Sequence, residues 1–304
     1  MGEVNHTVVR WLASALWGAC IFTAVSLHAQ TAARPGGTLA SKQAPPPPVA
    51  ELVKKAPQTA IEIAAEQMGM VRGPQRSTTS VNTIEIIAAG TTAERTADGA
   101  WHDYKIERLV EDLDFVIPAA RREIVRSGAG APSQHMIQVV AGTQAWDEEK
   151  PGINGTAVSG VAEDRALLIW LNPHAAMWGA LRAATPGGGV TIANESGRMV
   201  VTYSLNGQPV KMVFGPKLLV ESVQIQTHSA MYGDTTLEAT YSGYKEWAGT
   251  PLSPEGYLFP CPARMTYKAG GHTIRDLTLS NCEVNPYVVF PLPANIAKTS
   301  RATH

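Results

Sequence analysis

Cysteine is almost absent: there are three in 304 residues, Cys20 within an N-terminal apolar run and only Cys261 and Cys282 beyond it. Neither C-x-x-C nor H-E-x-x-H spacing occurs, and His135, His174, His228 and His272 stand singly, so no metal set is gathered by sequence. Ser159 in "TAVSGV" lacks the G-x-S-x-G elbow, and Gly187 to Gly189 lack the Lys and Ser/Thr of a phosphate loop. Charge of one sign is missing too. Lys and Arg number 25 against 26 Asp and Glu, dispersed along the chain, which removes the electrostatic basis for nucleic acid or a polybasic membrane patch. The acidic groups Glu111, Asp112 and Asp114, and Asp147 to Glu149, read as strand edges and solvated loops. His174 reads as solvent-facing in a first helical turn and His272 as a turn residue. These absences leave no catalytic residue, metal or cofactor to nominate.

What is present begins with "RWLASALWGACIFTAVSLHAQ", a run without charge from Trp11 to Leu27 that reads as a signal peptide over 1–29. An uncleaved inner-membrane anchor is the alternative. Export to the periplasm is therefore expected, where the remaining pair of cysteines meets an oxidising environment. Residues 30–56 are rich in Pro, Ala and Gly and are expected to form a linker that adds nothing to a packed core. Residues 57–296 then form a single domain, with 297–304 a flexible tail, in an expected monomer.

Within the domain, Ala60, Ile61, Ala64, Ala65 and Met68 make one helical stripe that Gly69 can close. Strand-like segments follow in "VNTIEIIAAG", "DYKIERLVEDLDFVI", "ARREIVR" and "HMIQVVAG". Helices return between 161 and 184, where Asn172-Pro173 supplies a cap and a first helical position. In "MVVTYSLNGQPVKMVF", Asn206-Gly207 suits a type I′ hairpin, pairing Met199 with Phe214, Val201 with Met212 and Tyr203 with Val210. Further strands lie in "LLVESVQIQTH", "TTLEATYSGYKEW", "ARMTYK" and "TIRDLTLSNCEV". The fold class is mainly β with helices.

The stretch "LLVESVQIQTHSAMYGDTTLEATYSGYKEWAG", continued by "CPARMTYKAGGHTIRDLTLSNCEVNPYVVFPLPANI", resembles an uncharacterised bacterial exported family with a LolA-like fold. In relatives this β-rich region precedes a metallo-β-lactamase domain. The likeness reaches upstream to "VVAGTQAW" and "LLIWLNPHAAMWGAL", and no His/Asp cluster of a dinuclear metal site accompanies it in these 304 residues. It implies a strongly curved antiparallel sheet, an incomplete barrel, with helices over its concave face. Lipoprotein carriers of this shape hold acyl chains there.

Trp170, Met177, Trp178, Leu181, Tyr203, Phe214, Tyr241, Tyr244 and Trp247 fall in elements facing that concavity, as plain core or as the lining of a ligand site. Two functions follow. One is a non-catalytic envelope protein that binds a lipid or a lipoprotein acyl chain in a cavity. The other is an accessory domain with a filled core that binds an envelope protein partner. In the family pattern Cys261 replaces a Phe and Cys282 a Val, both apolar positions, which implies two core neighbours exchanged for a disulfide. Strand alternation after a three-residue loop at Gly270 to His272 would turn Cys282 away, so a β-bulge at Ser280-Asn281 is expected to bring it back.

Overall fold

The computed structural model describes residues 45–70, 81–96, 98–128, 132–229, 231–247 and 259–297, and these belong to one compact unit. The expected signal segment and residues 30–44 of the expected linker lie outside the described residues. Among the described residues no helix is long and apolar enough to cross a membrane.

Among the described residues the helices that cover the sheet are α1 (Val49–Leu52), α2 (Pro57–Gln67), α3 (Ala162–Trp170) and α4 (Pro173–Ala183). The strands are β1 (Thr83–Arg95), β2 (Trp101–Asp114), β3 (Ala119–Gly128), β4 (Gln134–Ala141), β5 (Gln144–Glu148) and β6 (Thr156–Ala157) before the α3–α4 pair. After it come β7 (Thr191–Glu195), β8 (Arg198–Leu205), β9 (Gln208–Phe214), β10 (Val220–Ser229), β11 (Gly233–Ser242), β12 (Lys245–Trp247), β13 (Phe259–Cys261), β14 (Arg264–Ala269) and β15 (His272–Val284). Thirteen strands form one antiparallel sheet in the order β6-β5-β4-β3-β2-β1-β15-β14-β11-β10-β9-β8-β7, with β12 and β13 paired separately. The end strands do not pair, so the sheet is not closed into a barrel.

Geometry requires the sheet to curve. Helix α3 packs on β3, β4 and β5, α4 packs on β8 and β10, and the two helices touch each other. In a flat sheet β4 and β8 would be separated by roughly 40 Å at about 4.8 Å per strand. Two adjacent helices cover only about 20 Å at 8–10 Å between axes. The two halves must therefore rise around the helices.

The inner face collects the apolar residues of each strand, among them Ile84, Ile86, Leu109, Leu113, Met212, Ile225, Leu277 and Leu279. The Asn206-Gly207 hairpin has the expected register, and φ values of 50° and 84° at its two turn residues fit a type I′ turn. A second, smaller cluster lies on the outer face, where Ile137, Val139 and Trp146 are covered by Phe290 and Ile296 of the C-terminal segment.

Two expectations need correction. The linker does not run to residue 56: Val49 and Leu52 are buried, and α1 packs on β8. The one-turn helix places those two residues on one side while Glu51 and Lys54 pair at 2.9 Å outside, so a Pro-rich approach does not prevent its end from entering the core. The β14–β15 turn is also shorter than expected. Ala269 pairs with His272 across Gly270-Gly271, and a shift between Tyr267 and Lys268 then restores the pairing of Met265 with Leu277. At Ser280 the pairing of β1 with β15 slips by one residue, so Leu277, Leu279, Cys282 and Val284 share the buried face.

This bulge makes the Cys261–Cys282 disulfide possible, with Cα atoms 6.7 Å apart and both residues buried. The bond joins β13 to the end of β15 across a separation of 21 residues. Replacing both cysteines by Ala is expected to lower stability by ~3 kcal/mol through loss of the chain constraint. Urea unfolding of the double variant against the oxidised protein measures this; equal midpoints would show the staple adds nothing.

Candidate functional site: the helix–sheet interface

The Asn172 side chain starts α4 by accepting from the backbone N–H groups of His174 at 2.9 Å and Ala175 at 3.3 Å, and Pro173 fits the first helical position. Helix α3 is fastened at its first turn to both halves of the sheet. Arg165 donates through Nη1 to the carbonyls of Val139 and Trp146 and through Nη2 to Asp147. Its neighbour Asp164 accepts from Ser229 Oγ and the Met231 amide. The helix pair is thus held by polar contacts at the first turn of α3 and by its buried apolar residues.

The nine residues singled out in the sequence belong to or pack against that one core. Trp170, Met177, Tyr203, Phe214, Tyr241 and Trp247 are buried, while Trp178, Leu181 and Tyr244 are half-buried against them. Trp170 and Trp178 lie 6.3 Å apart as a tilted pair. The polar tips face backbone carbonyls: Tyr203 Oη donates to Ala176, Tyr241 Oη to Leu171, Tyr244 Oη to Val220 and Trp247 Nε1 to Cys261. Burial raises the Tyr203 and Tyr241 hydroxyls above their ordinary pKa, so they stay neutral donors. Gly179 allows the close approach to Tyr203, because an added Cβ would sit 2.9 Å from its hydroxyl. Tyr203 and Tyr241 consequently tie the helices to the sheet as well as filling the space between them.

Two clefts reach the surface here. One of about 60 Å³ is lined by Glu163, Ala166, Leu167, Trp170, Leu205 and Asn206. Its floor is therefore part of the helix–sheet core. The other, of about 370 Å³, lies over the β8–β9 and β10–β11 turns and is of mixed character, with His228 Nδ1 2.6 Å from Asp234. Its His and Asp side chains are 89% and 83% exposed, as expected of a solvated surface pair.

Sequence reasoning missed the buried polar groups. Glu111 is not a solvated edge residue: it is buried on the inner face against Arg122. The missed signal is its place between Leu109 and Leu113 in strand alternation, since all three must share a face. Asp112 points the other way, opposite Glu85, which is itself opposite Glu283. Burial and then the Glu85 charge raise its pKa to about 6.

His174 is likewise buried rather than solvent-facing. Its ring stacks on Phe259 at 4.1 Å, Nε2 lies 3.1 Å from the Pro260 carbonyl, and Nδ1 has no partner. With the proton on Nε2 donated to Pro260, a second proton would place a cation in an apolar site, and burial lowers the pKa to about 3. The unfolded state then binds the proton more readily, so stability is complete above pH 6.5 and falls as pH drops toward 3. The slope expected from this residue is about 1.4 kcal/mol per pH unit. His174→Gln should flatten urea midpoints between pH 6 and pH 4 relative to the parent; parallel curves would contradict the assignment.

Among the described residues, no group of three or more His, Cys, Asp or Glu side chains is placed to hold a metal ion. No protein-family model matches the chain, and no curated protein matches it. Among solved structures it is similar to LprF from Mycobacterium bovis at 12% identity, over 83% of this chain and 100% of that one, with a TM-score of 0.31. A likeness at that level says nothing of ligand or partner.

Proposed function

We propose that the chain is a non-catalytic protein of the bacterial envelope that takes an apolar ligand, a lipid or a lipoprotein acyl chain, between its curved sheet and the α3–α4 pair. One observation carries this reading: the small cleft beside α3 opens onto Leu167 and Trp170, so the apolar interior meets solvent there without unfolding. About 60 Å³ accommodates only the end of an acyl chain, and deeper entry requires α3 to shift against its few polar fastenings. The resemblance to exported LolA-like proteins supports the same reading at the level of fold, and a fold alone does not decide function.

The accessory-domain reading has its own support. The hydroxyls of Tyr203, Tyr241 and Tyr244 all have backbone acceptors, as in a finished core, while Tyr287 at 93% and Val289 at 51% exposure offer apolar surface outside.

Native mass spectrometry of protein purified from its own envelope separates the two, by a bound lipid in one case and a stoichiometric protein partner in the other. A targeted variant tests the entry point. Ala166→Trp fills the cleft from a half-buried position and is expected to weaken a neutral apolar fluorescent probe by about tenfold, the effect of losing ~1.4 kcal/mol of contact. Unchanged probe affinity with an unchanged thermal midpoint would remove this cleft as the entrance.

A further inference from the structure

The inner face is not apolar throughout. Strand register places Tyr267 opposite Arg275 on β14 and β15, in step with the inward pair Met265 and Leu277. On β2 and β3 it places Glu111 opposite Arg122, and Glu111 also faces Ile86 on β1. These four polar side chains therefore project from one face of the sheet, where the interior holds Ile86, Met265 and Leu277.

Their hydrogen bonding is incomplete in one sense only. Arg122 is paired with Glu111 through Nε and donates through Nη1 to the Arg165 carbonyl, but its buried Nη2 has no acceptor. Arg275 is half-buried and makes no ion pair or hydrogen bond among the described residues. Among the described residues Tyr267 Oη has only the weak acceptor Met265 Sδ at 3.3 Å. Tyr232, half-buried at the β10–β11 turn, has no acceptor for its hydroxyl among the described residues. Every group left over is a donor.

Arg122, Tyr232 and Tyr267 are all neighbours of Arg275. Burial first and then Arg275 disfavour the charge on Arg122, while Glu111 supports it. Burial raises the Tyr267 and Tyr232 hydroxyls, and Arg275 and Arg122 act on both in the opposite direction. The nearby carboxylates are already engaged: Glu111 with Arg122, Glu94 with Arg126, and Asp164 with Ser229 and the Met231 amide. Among the described residues of this cluster Arg275 is the cation left without a counter-charge. Trp101 stacks on His272 with ring centroids 4.0 Å apart and on Tyr232 at 6.4 Å, which ties the Tyr232 ring to the start of β15.

We infer that Arg122, Arg275, Tyr232 and Tyr267 form a binding site for a singly charged oxyanion, a carboxylate or a phosphate, on the donor-lined part of the inner face of the sheet. Arg275 supplies the counter-charge, Arg122 Nη2 donates from a guanidinium already neutralised by Glu111, the two phenols donate as neutral groups, and the half-buried Arg275 and Tyr232 connect the position to solvent. The same chemistry belongs to a free inorganic oxyanion and to the headgroup of an amphiphile whose tail lies along the apolar inner face.

Calorimetric titration of the full chain with decanoate, decanol, acetate and inorganic phosphate tests the site and separates the sources. Decanoate binding that exceeds decanol by about tenfold or more supports an amphiphile headgroup, and phosphate or acetate binding without that preference supports a free oxyanion. In either case Arg275→Gln is expected to remove the preference or the binding, with no loss of thermal stability in the unliganded protein, because among the described residues Arg275 has no ion-pair or hydrogen-bond partner to lose. Tyr232→Phe should weaken the same ligand by a few-fold. Arg122 variants serve poorly here, since they disturb folding through Glu111. Equal affinities of Arg275→Gln and the parent would overturn the site, as would failure of all three anions to bind. Decanol binding as tightly as decanoate, with Arg275→Gln inert, would refute the oxyanion site while leaving the apolar-ligand reading intact. If decanol also failed to bind, both would fall.

Discussion

Arg122→Met is expected to destabilise the protein by ~3–5 kcal/mol, the loss seen when one member of a buried ion pair is removed. The guanidinium and the Glu111 carboxylate are 1% and 6% exposed at the side chain, and the pair lies on the inner face of β2 and β3. Without Arg122, Glu111 would be a buried carboxylate with no counter-charge, and the Arg165 carbonyl would lose its donor. The pair itself need not be stabilising relative to an apolar one, because desolvating two charges offsets most of their attraction. Hence the double variant Glu111→Leu/Arg122→Met should recover most of the loss. A double-mutant cycle from urea midpoints reads the coupling directly. Additive losses in the double variant would mean that the two side chains do not depend on each other.

The same pair shows how far the sequence could be read. Segments with a clean period were legible: the Asn206-Gly207 hairpin fixed its own register, and Asn172-Pro173 marked the start of α4. The bulge at Ser280 was legible because two apolar sets of opposite parity, Leu277 with Leu279 and Cys282 with Val284, had to reach one face. Glu111 was not, because a cluster of acids on a strand suggests solvent, and only pairing β2 with β3 brings Arg122 opposite it. His174 lies two residues after the cap, in a first helical turn that is exposed in an isolated helix. Here the first turn of α4 is pressed against Phe259 and Pro260, from a segment 86 residues away in sequence. Short edge strands such as β6 and β7 carry little pattern of their own, and their places follow from their neighbours.

The candidate set was legible as one group around the helix–sheet core, while its exact use was not. Alternation places Tyr203 and Tyr241 on the inner face; only the packed helices give their hydroxyls the carbonyls of Ala176 and Leu171. The donor cluster around Arg275 was invisible for a related reason. Its members come from β3, β11's leading turn, β14 and β15, and their sequence neighbours alternate as ordinary strand residues.

Removal of residues 45–53 is expected to lower the thermal midpoint by many degrees, in contrast to the behaviour of a true tether. Leu52 is fully buried and Val49 nearly so, in the same cluster as Met199 and Val201 of β8. Leu52→Ala alone should cost ~2–5 kcal/mol through lost contact and the cavity it leaves. For a domain of this size, each kcal/mol moves the midpoint by about 2–4 °C, so deletion of the whole turn should shift it by roughly 10 °C. The direction follows from geometry: Pro48 ends an extended approach, and the turn from Val49 to Leu52 presses its apolar side onto β8 while Glu51 and Lys54 pair outside. Scanning calorimetry of the deletion and of Leu52→Ala provides the measurement. If both unfold within a degree of the parent, α1 does not contribute to the core. If Leu52→Ala matches the deletion, that single side chain accounts for the anchoring, and the remaining residues of the turn serve to carry it there.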